Sequence, residues 1–446
     1  MMQSHAAYDV IVAGGGSAGI AAAIAAGRAG AKTLLIEKSA FLSGEGSTGI
    51  PFLTFHAMDG TQVIRGVAQD IVDRLVAARG SMGHVEGADA HHRTMTPIYP
   101  EVFKYIAQEM MLEAGAELLL HAQVVDTLVE AGRVQGVVVQ TKSGREVFPA
   151  TVVVDTTGDG DACYYAGAQY AKGREQDRLC QAMTLMFTVG NVDVDRAKAV
   201  FPRCWFSARR PWEESADALI HLAGDLGPWD EIIAREKIFA VAKHKFWAMI
   251  LWDRVLSINV SNVTGFDGTD SADLTRAEIA ARRQVMAVVA LLQKHVPGFE
   301  KSYLLSTAAK IGVRETRRII GDYVLRQEDV LEARAFPDAV AKASYCIDMH
   351  GPANEGTEFT FMRKQGVYDI PYRCLLPRGI ENILVAGRCF SAGHEALGSA
   401  RVMAICMAMG HAAGTAAAMA CSAGVSPRQV SVDALRDRLR SENAYV

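Results

Sequence analysis

Residues 8–37 leave the chain few ways to begin folding. YDVIVA, residues 8–13, is apolar and rich in β-branched side chains, as a buried parallel strand requires. It runs into GGGSAG, where Gly14, Gly16 and Gly19 satisfy G-x-G-x-x-G, and then into an alanine-rich helical stretch that stops at Gly30. A second apolar strand, KTLLIE, ends at Glu37. This order predicts a dinucleotide-binding βαβ unit. Gly14 permits the tight turn, Gly16 lets backbone approach a pyrophosphate, and Gly19 lets helix and strand pack closely. The helix start, Ser17 and Ala18, offers free N–H groups and a positive dipole end to the phosphates. Glu37 is placed to accept from an adenosine ribose and to repel a 2′-phosphate, which disfavours NADP.

Beyond this unit, 446 residues allow two or three domains. A formal net charge of −4 provides no basic excess for phosphate backbones, so nucleic acid is not an expected partner. Eight cysteines are scattered without a C-x-x-C, which predicts reduced thiols in a cytoplasmic protein. The N-terminus has no basic region before its apolar run, so no secretory signal is expected. The run from Val402 to Val425 is long enough to span a membrane. It is built of Ala, Gly and Met around His411, however, and predicts a tightly packed internal helix instead of a membrane partner. His91 and His92 are adjacent with no third ligand suggested, so no metal is expected.

Three further stretches carry a resemblance. EKSAFLSGEGSTGI follows Glu37 and brings Lys38, Gly44 and Ser47 into a loop rich in glycine and hydroxyls. A helix, strands and a β-meander then lead to TTGDGD, which holds Thr157, Gly158 and Asp159. ENILVAGRCFSAGHEALGSARV supplies a last strand and a long helix, and GVRETRRIIGDYVL lies between. In this order the chain resembles, over nearly its whole length, the FAD-dependent oxidoreductase family that groups loosely with the flavoprotein subunits of fumarate reductase and succinate dehydrogenase. The resemblance implies an α/β fold: a Rossmann-like FAD-binding domain, split in sequence, with a β-meander and an inserted α+β cap.

The same resemblance implies roles. Gly14, Gly16, Ser17 and Gly19 would hold the pyrophosphate, and Glu37 the ribose, with Lys38, Gly44 and Ser47 beside them. Val124 would touch adenine through its backbone, and Thr157, Gly158 and Asp159 would line the same end. Gly387 and Arg388 stand where family members meet the ribityl chain. Relatives with covalent FAD use a histidine in the loop after the second strand; no histidine precedes His56 there, so FAD is expected to be non-covalent. Where relatives carry H-G-A-N-R-L-G-G-N-S this chain reads GHEALGSARV, so dicarboxylate chemistry is not implied. No second G-x-G-x-x-G occurs, so electrons are expected to pass directly between flavin and a substrate or partner.

The expected domains are FAD-binding residues 1–170 and 345–446, with a cap or substrate domain at 171–344. All five tryptophans fall in that cap. It would cover the flavin face and shape a pocket.

Flavin chemistry needs an acid/base, an anchor for the substrate's polar end, and stabilisation of reduced flavin. His394 is the first choice for acid/base, since its ordinary pKa lies near neutrality and it precedes the last helix; the alternative is a capping or core histidine. Glu395 is either a base or a first-turn acid favoured by the helix dipole. Gly398 and Ser399 would leave N–H groups open to the flavin. Arg388 and Arg401 would hold cofactor or a carboxylate, or else form structural ion pairs. Arg314, with Arg317, is a substrate anchor or part of a solvated charge cluster. His350 and Arg373 are pocket or structural residues. The function expected is hydride transfer between a small polar metabolite and FAD, with the electron partner unspecified and homo-oligomerisation left open. The alternatives are a flavin enzyme that modifies tRNA and an electron-transfer subunit of a larger redox complex. The first needs a basic surface and the second cysteine clusters.

Overall fold

The first strand, β1 (Tyr8–Ala13), is buried along its last four residues, and helix α1 (Ser17–Arg28) is buried over its first ten. An element apolar on all sides must be covered on all sides, and here that dictates the layers. The computed structural model describes residues 3–87, 91–209, 212, 218–239, 244–353, 355–363 and 366–446. β1 pairs in parallel with β2 (Thr33–Ile36), which pairs in parallel with β3 (Glu117–Leu119). Two antiparallel strands, β4 (Gln123–Glu130) and β5 (Arg133–Thr141), lead into the long β6 (Gly144–Asp155). The first half of β6 completes this meander. Its second half joins the parallel sheet between β1 and β7 (Ile383–Val385), giving the order β3-β2-β1-β6-β7.

Two helices follow β7: α2 (His394–Ala400) and α3 (Met403–Ala423). α3 crosses α1 backbone to backbone. A Cβ on Gly410 would lie 2.0 Å from the Ala18 carbonyl oxygen, and one on Gly414 would lie 2.2 Å from that of Ala22. The small-residue composition of α3 is therefore a packing requirement. Of its most apolar stretch, 83% is buried inside the domain.

The cap is a five-stranded antiparallel sheet in the order His221–Asp225, Lys245–Trp252, Val255–Ile258, Phe187–Gly190, Tyr303–Thr307. The helix Ser271–His295 packs on it through Val285, Val288 and Leu292 to form a second core with Phe187 and Phe246. Leu325, Val330 and Val340 pack in the same core as α1 and α3. A hairpin, Ile347–His350 with Thr357–Thr360, then turns back toward the cap.

Candidate active site

Each glycine of the first loop meets a different constraint. Gly14 has φ +105°, and a Cβ there would sit 2.5 Å from the Thr156 carbonyl oxygen. A Cβ on Gly19 would sit 1.8 Å from the carbonyl oxygen of Gly14. Gly16, by contrast, has nothing within 4 Å of its Cβ direction; it faces open space. It caps α1 without a side-chain cap, so the first-turn N–H groups have no intrahelical acceptor. Glu37 accepts from the Gly15 N–H and the Ser39 N–H, both at 2.7 Å, which fixes its carboxylate at the end of β2.

These groups border a cavity of about 1270 Å³, counting the space at its mouth. Ser17, Ala18, Glu37, Lys38 and Gly44 line it near the glycine loop, together with Thr157, Gly158, Gly387 and Arg388. Arg388 is held by Asp159, its Nη2 lying 2.8 Å from Oδ1, and donates from Nη1 to Thr316 Oγ1 at 2.9 Å. Burial opposes ionisation of Asp159, but Arg388 and Lys38 outweigh it and hold the carboxyl below its ordinary range. Asp159 does not line the cavity and acts through Arg388. An open glycine cradle, a bare helix N-terminus, a fixed carboxylate and an oriented guanidinium fit an adenine dinucleotide.

A second cavity of about 1190 Å³ lies between the cap sheet and the 347–360 hairpin. Trp205, Lys245, Trp247 and Phe359 line it, as do Asp348 and His350. The two cavities share Ile50, Pro51, Leu53, Thr184, Asn259 and Arg314. Arg314 donates from Nη1 to the Ala182 carbonyl at 2.7 Å and to Thr184 Oγ1 at 2.8 Å. Among the described residues it has no carboxylate at ion-pair distance. Burial, and then Arg401, push its pKa down to about 10. Arg401 donates from Nη2 to the Asp348 carbonyl at 3.1 Å and lies 3.7 Å from Asp348 Oδ2. Its Nε is buried without an acceptor.

His350 Nε2 lies 3.2 Å from Asp348 Oδ1, and Nδ1 is 3.1 Å from Thr357 Oγ1. Burial, and then Arg314, push the imidazole down to about 4. Burial opposes ionisation of Asp348 too, yet His350, Arg401 and Arg314 together hold its carboxyl below the ordinary range. The arrangement is a neutral imidazole beside a carboxylate, next to two guanidinium groups.

Several residues singled out from sequence lie elsewhere. His394 lines neither cavity; its Nδ1 is 2.9 Å from Glu315 Oε1, and Glu315 also pairs with Arg318. Arg318 donates onward to the carbonyls of Ala392 and Gly173, making a buried network. Glu395 sits half-buried in the first turn of α2 and lines neither cavity. Gly398 lets α2 pack on the hairpin, since a Cβ there would lie 2.8 Å from Met349 Sδ. Ser399 Oγ donates to the Tyr345 carbonyl at 2.6 Å. Their N–H groups are inside a helix and are not open to flavin. The helix is interrupted at Arg401–Val402, and it is the start of α3, with Arg401, Val402 and Met403, that lines the first cavity. Arg317 pairs with Asp161 at 2.9 Å and covers the Tyr164 ring; Arg373 pairs with Asp338 at 2.8 Å. Ser47 donates to the Gly44 carbonyl, and Val124 packs in the meander core. Neither lines a cavity. Asp348 was not singled out from sequence, although it stands two residues before His350 on one strand, where alternate residues share a face.

Residues 9–439 match the model of the family described as FAD dependent oxidoreductase. The chain belongs to this family, and its cofactor is FAD. Thiamine thiazole synthase of Aeropyrum pernix is 35% identical over 157 residues, which is 35% of this chain and 53% of that protein. The match thus spans about half the length of that relative. A flavin-dependent brominase superposes with a TM-score of 0.50 at 14% identity, over 97% of this chain and 83% of that one. A geranylgeranyl bacteriochlorophyll reductase-like protein from Thermoplasma acidophilum gives 0.48 at 14% identity, over 100% of this chain and 85% of the other. The first of these likenesses is one of fold.

Two half-buried histidines of this FAD-dependent oxidoreductase contribute to its acid sensitivity. His84, bonded to Thr96 and Gln69, is pushed down to about 4 by burial and by His56, and His350 matches it. Both are neutral in the folded protein while the unfolded chain protonates near 6.5. Their effect on stability is therefore absent above about pH 6.5, grows as pH falls, and saturates below about pH 4. Urea melts across this window are expected to lose stability with falling pH, and His84→Gln is expected to flatten the slope.

Proposed function

We propose that the protein transfers a hydride between a small polar metabolite in the second cavity and non-covalently held FAD in the first. The observation that carries this reading is the set of residues the two cavities share: Arg314 and Thr184 border both, so a ligand in the second lies against the same side chains as a ligand in the first. Bound FAD supplies a two-electron acceptor or donor. The chain supplies the rest. The glycine loop and the start of α1 bind the pyrophosphate, Glu37 the ribose, and Arg388 the middle of the cofactor. The start of α3 presents a positive dipole end to the cavity.

His350 moves the proton. With Nδ1–H donating to Thr357 Oγ1, Nε2 carries the lone pair, and a proton arriving there is stabilised by the Asp348 carboxylate 3.2 Å away. The loop at 43–49 contains no histidine, which supports non-covalent binding.

Purified protein is expected to be yellow and to release its flavin on acid precipitation. Under anaerobic conditions its flavin absorbance is expected to bleach with one chemical class of hydroxylated metabolite and not with NADH. If no metabolite bleaches the flavin, and none reoxidises chemically reduced flavin, the hydride reading is wrong.

A further inference from the structure

We infer that the metabolite is a 2-hydroxy acid, its carboxylate held between Arg314 and Arg401 and its hydroxyl facing His350. The inference rests on the hydride reading and narrows it. Arg314 borders both cavities and Arg401 borders the first, and among the described residues Asp348 is the one carboxylate within ion-pair reach of either. Glu45 acts on Arg314 from beyond that range. A buried cation without a counter-charge is costly, and the Arg401 Nε has no acceptor at all. An anion beside the two groups supplies the counter-charge that Arg314 lacks and adds an acceptor for Arg401, and a planar carboxylate matches the guanidinium fork.

Geometry then limits how far the reacting carbon stands from that carboxylate. Asp348 touches both halves of the site: its backbone oxygen is 3.1 Å from Arg401 Nη2, and its Oδ1 is 3.2 Å from His350 Nε2. Anion site and proton acceptor are thus neighbours across a single residue. Among hydroxy acids the 2-hydroxy acid sets carboxylate and hydroxyl closest together, which suits an anion site and a proton acceptor that flank one residue. The reaction balances as follows. The C2–H bond breaks and its hydride, with two electrons, goes to FAD; the O–H proton goes to His350 Nε2. The C2–O bond becomes a carbonyl, so the hydroxy acid is oxidised to the 2-oxo acid and FAD is reduced.

The test uses the holoenzyme. Under anaerobic conditions 2-hydroxy acids of increasing length are compared with their amides, with 3-hydroxy acids and with neutral polyols. Bleaching by the 2-hydroxy acids alone is expected. In parallel, oxalate, an anion with no C–H bond to give up, is titrated against the oxidised enzyme and followed by flavin absorbance and tryptophan fluorescence. Arg314→Met is expected to keep FAD and its melting temperature while weakening oxalate by about thirtyfold or more; Arg314→Lys is expected to recover part of it. If polyols or amides bleach the flavin as well as hydroxy acids do, or Arg314→Met leaves oxalate binding unchanged, the hydroxy acid is overturned while hydride transfer stands. If nothing bleaches the flavin yet oxalate binds through Arg314, hydride transfer falls, the hydroxy acid with it, and an anion site remains.

Discussion

His350→Gln is expected to keep FAD and to lose about two to four orders of magnitude in kcat/KM, the range a positioned acid/base contributes. Gln can still bond Thr357 and fills much of the imidazole's space, so the loss reports on proton transfer more than on folding. Two pH signatures accompany it. In the free enzyme His350 is held down to about 4, so kcat/KM is expected to rise through about pH 4 and stay level to neutrality. The charges facing His350 are Asp348 on its own strand, Arg314 before the strand Arg317–Ile319, and Arg401 at the end of α2. A bound carboxylate offsets Arg314 and favours the imidazolium, which raises the pKa. The acid limb of kcat is therefore expected at higher pH than that of kcat/KM, and both limbs vanish in the variant. Comparable rates for His350→Gln and wild type would remove His350 from the mechanism. His394→Gln should behave oppositely, since it disturbs the Glu315–Arg318 network and lowers the melting temperature before it touches chemistry.

That contrast shows which parts of the site were legible in the sequence. Gly14 and Gly19 are constrained by neighbours in the same βαβ unit or by the close crossing of Thr156, and Gly16 leaves the helix start open, so their spacing alone points to their roles. The apolar run around His411 was readable as internal because only alanine and glycine permit the approach of α3 to α1. His394 was not readable. Its partner Glu315 is 79 residues away, and nothing near His394 says which way its ring turns. Arg388 and Asp159 are 229 residues apart, so the ion pair that orients Arg388 has no local signature either. The break between α2 and α3 falls at Arg401–Val402, with neither proline nor glycine to mark it. The sequence pattern places the start of the long helix around Leu397 to Arg401, whereas it begins at Met403. Asp348 was within reach, since alternation along a strand pairs it with His350; what was missing was the evidence that IDMH is a strand.

The glycine loop provides the second large effect, because two of its positions should fail in opposite ways. Gly16 has φ −75° and ψ −174°, an extended conformation open to any residue. No atom lies within 4 Å of its Cβ direction. Gly16→Val is therefore expected to fold with a normal apoprotein melting temperature while placing an isopropyl group where the cofactor's phosphates approach. Overpacking of a formed site costs about 3 kcal/mol, and the phosphates also lose contact with the start of α1, so FAD affinity is expected to drop roughly a hundredfold or more. Gly19→Val puts its Cβ against the Gly14 carbonyl at 1.8 Å, and backbone on both sides cannot yield. It is expected to lower the yield of folded protein itself, with or without FAD. Flavin titration of apoprotein, paired with thermal melts, separates the outcomes. A Gly16→Val variant that binds FAD normally would show that the phosphates do not sit on this loop. The cofactor would then have to lie elsewhere in the cavity, away from the helix N-terminus.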